Sequence, residues 1–430
     1  MTGGSTLTAP NSHNSTADNN TTRKEHGSRL PIFSRTLVLF LGTMILANIS
    51  SRMNGPLIPL YIQSLGASVQ QVGFFFTITS IAPLLFQILG GFISDSIGRL
   101  RAIAIGSLAG VAGYALYVLS PSWHLLVLAQ GMMALASCFV APSFRAFIAE
   151  NSAEHARARV FAAVESIYAV VGIVGPILGG IVSERYGYRA MFMLGGSLYL
   201  AATIIRLMMA KRSAPSAGTA SERLTLAGLK QNLSAMGSLV LAGGAVTWLF
   251  VSDGVIDIAA SISARLEPLY YSNVIGLTNT QIGSFTSIFS VTTMAVMPLG
   301  GWFADRVGER TGLVVGHLMF VVGHALFLLG RGYAMFALVA AVFGAGQSFA
   351  GPAYNSMISK AVPVKLRGTA FGLVSTSLGL MSLPAPYVGG VLWKAFGPKV
   401  PFLMPLFAGI AIAPLIWVKL APKPEVQADA

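Results

Sequence analysis

Gly90-Gly91-Phe-Ile-Ser-Asp95-Ser-Ile-Gly98-Arg99-Leu-Arg101 returns 210 residues later as Gly300-Gly301-Trp-Phe-Ala-Asp305-Arg306-Val-Gly308-Glu309-Arg310. In both copies a charged turn bounded by glycines separates two apolar runs. Working outward at the same shift, Gln71 meets Gln281, Gly73 meets Gly283, Pro142 meets Pro352 and Gly179-Gly180 meets Gly389-Gly390. With a slip of one residue, Pro59-Leu60-Tyr61 meets Pro268-Leu269-Tyr270. Agreement at turns and helix ends over an entire half of the chain marks an internal repeat.

The 430 residues are 54% hydrophobic and 10% charged, with a mean hydropathy of +0.70. Soluble domains have about 25% charged residues. Here the charges cluster between apolar runs of about 18–26 residues, the length that crosses ~30 Å of hydrocarbon as helix. The spans read as 33–58, 72–93, 102–120, 124–147, 158–183 and 189–210, then 240–267, 281–303, 312–330, 333–358, 368–393 and 401–419. This pattern predicts an all-α membrane protein of 12 transmembrane helices in two six-helix halves, 33–210 and 236–420. The polar, basic stretch 211–235 is the expected cytoplasmic linker. Tails at 1–32, expected to be disordered, and at 421–430 complete the chain. Six spans is an even number, so both halves enter the membrane from the same side. They are parallel repeats about an axis along the membrane normal, with a substrate site expected between them near the midplane.

The net charge of +13 is a topology signal rather than a sign of nucleic acid as partner. With the N-terminus inside, 21 of the 28 Lys and Arg fall in the tails, the even-numbered loops or the inner ends of the spans beside them. That bias puts both termini in the cytoplasm. The single cysteine, Cys138, lies in an apolar run and excludes an intramolecular disulfide. There is no P-loop, no Gly-x-Ser-x-Gly and no His/Cys/Asp cluster spaced for a metal, so neither an enzyme, a cofactor nor a metal is expected.

The two loops resemble the Gly-x-x-x-Asp-x-x-Gly-Arg-x-Arg signature of the major facilitator superfamily. Glu309 replaces the first basic residue in the second copy. The resemblance implies a cytoplasmic gate built from Asp95, Arg99 and Arg101, with Asp95 paired to Arg145, and a weaker one at Asp305 and Arg306, since Asn355 stands at the position equivalent to Arg145. In span five, Gly175-Pro176-Ile-Leu-Gly179-Gly180 is similar to the antiporter motif of the drug/proton exporters in that superfamily. Its glycines permit helices to touch and its proline makes a bend. The upstream glycine is one position off, and the arginine of the family's span-four pattern is Val127 here, so no proton role is carried over from it.

Ionisable residues inside spans are costly, about 2.5–3.5 kcal/mol at the bilayer centre on insertion scales, and are functional candidates. Asp253 and Asp257, at i and i+4, share one face of span seven. They are candidates for proton coupling together with Glu165 in span five. Asn48, which the repeat sets opposite Asp257, joins Arg52, Tyr168, Trp248 and Gln347 as candidates for lining the substrate cavity. The aspartates are expected to face water, substrate or Arg52. His317 and His324 read as packing residues, and Arg265 and Glu267 as solvent-exposed.

The expected protein is thus a secondary transporter in the cell membrane, a monomer among lipids. It would use protons to export small amphipathic or cationic compounds, because the cavity is net acidic. A proton symporter or facilitator for a sugar or other metabolite on the same fold is the alternative, weakened by the scarcity of mid-span Asn, Gln and Trp.

Overall fold

A computed structural model of the chain describes residues 35–84, 97–152, 156–212, 244–362 and 379–420, together with Phe86 and Ser234. Asp95, both tails and most of the 211–235 linker lie outside the described residues. Every regular element among the described residues is helical. Nine helical stretches are long and apolar enough to cross a membrane, and a tenth, Val69–Leu84, is shorter.

The elements are α1 (Arg35–Asn54), α2 (Ile58–Ser64), α3 (Val69–Thr79), α4 (Arg99–Leu119), α5 (Trp123–Glu150) and α6 (Arg157–Arg212). They are followed by α7 (Ala245–Ala264), α8 (Glu267–Tyr270), α9 (Asn279–Val307), α10 (Glu309–Leu329), α11 (Gly332–Ala361), α12 (Ala385–Phe396) and α13 (Val400–Lys419). Local chemistry sets several starts. Ser68 and Gln71 form a capping box at α3, and Thr278 and Gln281 form another at α9. In each, a hydroxyl and a side-chain amide satisfy two backbone N–H groups that no helical carbonyl can reach.

At 1.5 Å per residue, the 56 residues of α6 would make a rod of about 84 Å, far longer than a bilayer needs. The rod is broken at Gly187, whose φ of 83° and ψ of 165° no helix contains. Gly179, eight residues before the break, lies against Met53, and Gly195, eight residues after it, lies against Ser50 and Asn54. Both arms therefore pack on the same turn of α1, and the chain reverses at Gly187. Sequence reasoning put spans at 158–183 and 189–210; here one helix assignment runs through both, with the glycine as its hinge.

The segment 35–212 meets the segment 244–420 at the end of the molecule that carries this reversal. The contacts come in related pairs. A Cβ placed on Gly283 would lie 2.3 Å from the Pro176 carbonyl oxygen, and one placed on Gly73 would lie 2.2 Å from that of Pro386. Likewise Gly180 sits against the Thr280 backbone and Gly390 against that of Gln70. Hydrogen bonds cross nearby, from Ser287 to the Ile173 carbonyl at 2.6 Å and from Tyr188 to Asn279 at 3.1 Å. The Thr280 N–H donates to Glu184 at 3.0 Å.

Packing follows the same division. One apolar cluster draws on both segments at this end, including Tyr61, Phe192, Tyr270 and Phe402. Toward the opposite end there are two clusters, one wholly within 37–210 and one wholly within 249–420. Among the described residues the apolar packing is shared at one end and divided at the other.

The tightest approach within the first segment supplies a test. A Cβ on Gly179 would stand 2.0 Å from the Met53 carbonyl oxygen, whereas one on Gly42 would meet nothing within 4 Å. Overpacking of this kind costs about 1–3 kcal/mol. Gly179→Ala is expected to lower the melting temperature of the detergent-purified protein by several degrees, while Gly42→Ala leaves it unchanged or slightly higher. Equal melting curves for the two variants would contradict this packing.

Candidate functional site

Two cavities meet along α1. The larger, of about 900 Å³, is bounded by α1, α7, α9, α10, α11 and α13, and Arg52, Asp253, Asp257 and Gln347 all line it. The smaller, of about 510 Å³, lies within the first segment and is lined by Asn48, Arg145, Glu165, Tyr168 and Arg206. Ser51 borders both.

Helical periodicity explains the acidic wall. Asp253 and Asp257 are one turn apart on α7 and both half-buried. Tyr354 of α11 donates to Asp253 Oδ2 at 2.8 Å, and Ser382, just before α12, donates to Asp257 Oδ2. Both partners are neutral hydroxyls. Among the described residues no basic group lies within ion-pair distance of either carboxylate. Arg52 shares the cavity with the aspartates but forms no ion pair with them, so of the three neighbours expected from sequence it is the open cavity that they border. Its placement follows from packing: its Cβ is pressed against Gly175 of the proline bend.

Other expectations are redistributed. Asn48 does not face Asp257 across the large cavity; it lines the small one and donates to the Met44 carbonyl of its own helix. Tyr168 and Glu165 also line the small cavity. Trp248 lines neither, because Lys419 stacks on its indole with Nζ 5.0 Å from the ring centroid. Arg265, exposed as expected, and Glu267, half-buried rather than exposed, border the large cavity, and so do His317 and His324.

Of the expected gate, Asp95 lies outside the described residues. Arg101, Asp305 and Arg306 are exposed. Arg99 forms an ion pair with Glu150 at 3.1 Å, linking the start of α4 to the end of α5. At the 210-residue shift the same two positions are Glu309 and Lys360, which also form an ion pair. At this pair the second copy is charge-reversed rather than merely degenerate: the acid and the base have exchanged helices. The bend residues Gly175, Pro176, Gly179 and Gly180 pack on α1 and α9.

Arg206 was not singled out by sequence. It is fully buried, and its guanidinium donates to Thr43 Oγ1 at 3.2 Å, to Ser107 Oγ at 2.7 Å and to the Thr43 carbonyl. The Tyr199 ring lies 5.9 Å away. No carboxylate pairs with it among the described residues. The available signal was a cation more than a turn inside the sixth span, masked by Lys211 and Arg212 immediately after it. Burying a charge without a counter-ion costs stability, and an apolar replacement of similar size is often neutral or stabilising. Thr43 and Ser107 would remain bonded to the Phe40 and Ile103 carbonyls of their own helices. Arg206→Met is therefore expected to keep or raise the melting temperature in detergent. A fall of several degrees would show that the hydrogen-bond network outweighs the desolvation cost.

Comparison with known proteins bears on the same architecture. The chain is 22% identical over 353 residues to the multi-drug resistance efflux pump PmrA of Streptococcus pneumoniae, covering 81% of this chain and 86% of that protein. It is 22% identical to the quinolone resistance protein NorA of Staphylococcus aureus, covering 84% and 90%. Among solved structures, a peptide transporter POT in complex with sulfate superposes with a TM-score of 0.69 at 15% identity, covering 90% of this chain and 94% of that one. A D-xylose-proton symporter superposes with a TM-score of 0.67 at 15% identity, covering 89% and 97%. These likenesses are of fold. The family description "Major Facilitator Superfamily" matches residues 39–265 and 249–430, so with its apolar helices and glycine-packed bundle this chain belongs to that superfamily of integral membrane transporters.

Proposed function

We propose that the protein is a proton-coupled exporter of small amphipathic or cationic compounds, working by alternating access. The observation that carries this reading is the large cavity with two carboxylates held only by neutral hydroxyls, which leaves their negative charge for a ligand. The relatives named as efflux and resistance proteins support the direction of transport. The likeness to a sugar symporter is of fold alone.

In this reading the chain has twelve spans in two six-helix halves, 33–210 and 236–420, joined by the 211–235 linker. Support comes from contacts related by the repeat: Gly283 on Pro176 with Gly73 on Pro386, and Gly180 on Thr280 with Gly390 on Gln70. The reversal at Gly187 has its counterpart at Gly397, whose φ is also positive. The bias of basic residues toward the tails and even loops supports a cytoplasmic position for both termini. The end where the bundles join then faces outward, and the arrangement described is open toward the cytoplasm. Alternating access would part the glycine contacts and bring the cytoplasmic ends together, with Arg99, Arg101, Arg145, Asp305 and Arg306 among the charges that meet there.

Two carboxylates about 6 Å apart on one helix face repel each other, so binding a cation relieves that repulsion. Neutralising both removes the charge preference. In the Asp253→Asn, Asp257→Asn protein, affinity for a cationic ligand is expected to fall at least tenfold, about 1.4 kcal/mol, with little change for its uncharged analogue. Equal losses for both ligands would refute charge reading by this wall.

Glu165 occupies the other cavity, with Arg145 and Arg206. Its place away from the aspartates suits a group that carries the proton while the substrate occupies the larger cavity. Glu165→Gln is expected to retain substrate binding and lose the pH dependence of transport in proteoliposomes. An unchanged pH profile would assign the coupling elsewhere.

A further inference from the structure

Two histidines of α10 take no part in the reading above. His317 and His324 are seven residues apart, two turns and about 10.5 Å along one helix face. Both are half-buried, and both line the cavity that holds Asp253 and Asp257. Each is preceded by a glycine that presses α10 onto α11. A Cβ on Gly316 would stand 2.6 Å from the Ala350 amide nitrogen, and one on Gly323 would stand 2.4 Å from the Phe343 ring. The helix contact is made by the glycine, and the next residue carries its ring to the cavity.

The rings are oriented by their own helix. His317 Nδ1 lies 2.7 Å from the Leu313 carbonyl oxygen, and His324 Nδ1 lies 2.7 Å from that of Phe320. A carbonyl oxygen can only accept, so Nδ1 carries the proton of each neutral imidazole. Nε2 is then an unprotonated acceptor, and no described protein donor reaches it. The aspartates of the same cavity, on α7, each receive one hydroxyl and keep further lone pairs. Besides Arg52 and Arg265, the cavity lining therefore holds two carboxylates and two imidazole nitrogens, and these four groups are acceptors.

Negative charge alone would attract any cation. Acceptors in fixed directions reward only a cation with N–H bonds to give. We propose that this cavity selects protonated amines and guanidinium compounds over quaternary ammonium ions, with Nε2 of His317 and His324 accepting their N–H groups. A quaternary ion has the same charge but presents only methyl or methylene groups, so it desolvates the imidazoles without replacing their hydrogen bonds. The inference rests on the large cavity being the substrate site of the proposed exporter.

The test is a matched pair of ligands, an aryl tertiary amine in its protonated form and its N-methyl quaternary derivative. Their dissociation constants are measured by titration calorimetry on the full-length protein in nanodiscs. Wild type is expected to bind the protonated amine about tenfold more tightly, a difference of about 1.4 kcal/mol. In His317→Phe, His324→Phe that ratio should fall to about one, while affinity for the quaternary ion is retained. His317→Gln, His324→Gln, which restores a carbonyl acceptor at each position, should recover most of the preference. A wild-type ratio of one or less overturns the proposal without recourse to any variant, as does a ratio unchanged in the phenylalanine protein. The Asp253→Asn, Asp257→Asn protein separates the two readings. If it weakens both cations while the histidine variants leave the ratio intact, only the histidine assignment fails. If it weakens neither, the cavity is not the cation site and the proposed function fails with it.

Discussion

Backbone touching backbone is the constraint on which the remainder of this structure depends. Gly179 and Gly389 each stand where a methyl group would be 2.0 Å or less from a carbonyl oxygen, of Met53 and Ile262 respectively. In lipid, helices gain nothing by hiding apolar side chains from one another, because the surrounding tails are equally apolar. Association comes from close van der Waals fit and from polar contacts, so small residues at the interface decide where helices cross. From those contacts follows the rest. They set α1 against both arms of α6, bring Arg52 beside the proline bend, and join the two segments at one end.

That geometry also sorts the charges. A charge within a bilayer-spanning helix must find water, a partner or a ring of dipoles. The structure uses all three. Arg99 with Glu150, and Glu309 with Lys360, pair at the helix ends in opposite polarity. Exposed pairs of this type contribute about 0–1 kcal/mol, so their exchange between the copies costs little stability, and the pattern survives where the residue types do not. Arg206 is held by hydroxyls, a carbonyl and an aromatic face. Asp253 and Asp257 border open volume and have only neutral donors. The uncompensated acid sits in one cavity and the uncompensated base near the other, with Ser51 of α1 between them.

How much of this was legible beforehand can be seen residue by residue. Hydropathy runs gave the helical membrane class, because length and apolarity are properties of the chain itself and need no fold to be expressed. The shift of 210 residues flagged Gly73, Gly180, Gly283 and Gly390, all of which stand at contacts between the segments. The spacing of Asp253 and Asp257 set both on one face of one helix, since 3.6 residues per turn is local geometry. What they bond to was not legible: Tyr354 and Ser382 are 101 and 125 residues away in the chain.

Sequence by itself determined the class, the family resemblance, the repeat and the residues too polar to be idle in a membrane. The tertiary structure alone decided which cavity each of them enters. Asn48 and Asp257 correspond in the repeat yet border different cavities, and Trp248 leaves the site for Lys419. Arg206, lost among neighbouring basic residues in sequence, is a buried cation in the fold. His317 and His324 look like filler until Gly316 and Gly323 draw α10 onto α11. The physical reason is common to all four cases. Helix phase is local, but the rotation of a helix against its neighbours is set where side chains are smallest, by contacts between residues far apart in the chain.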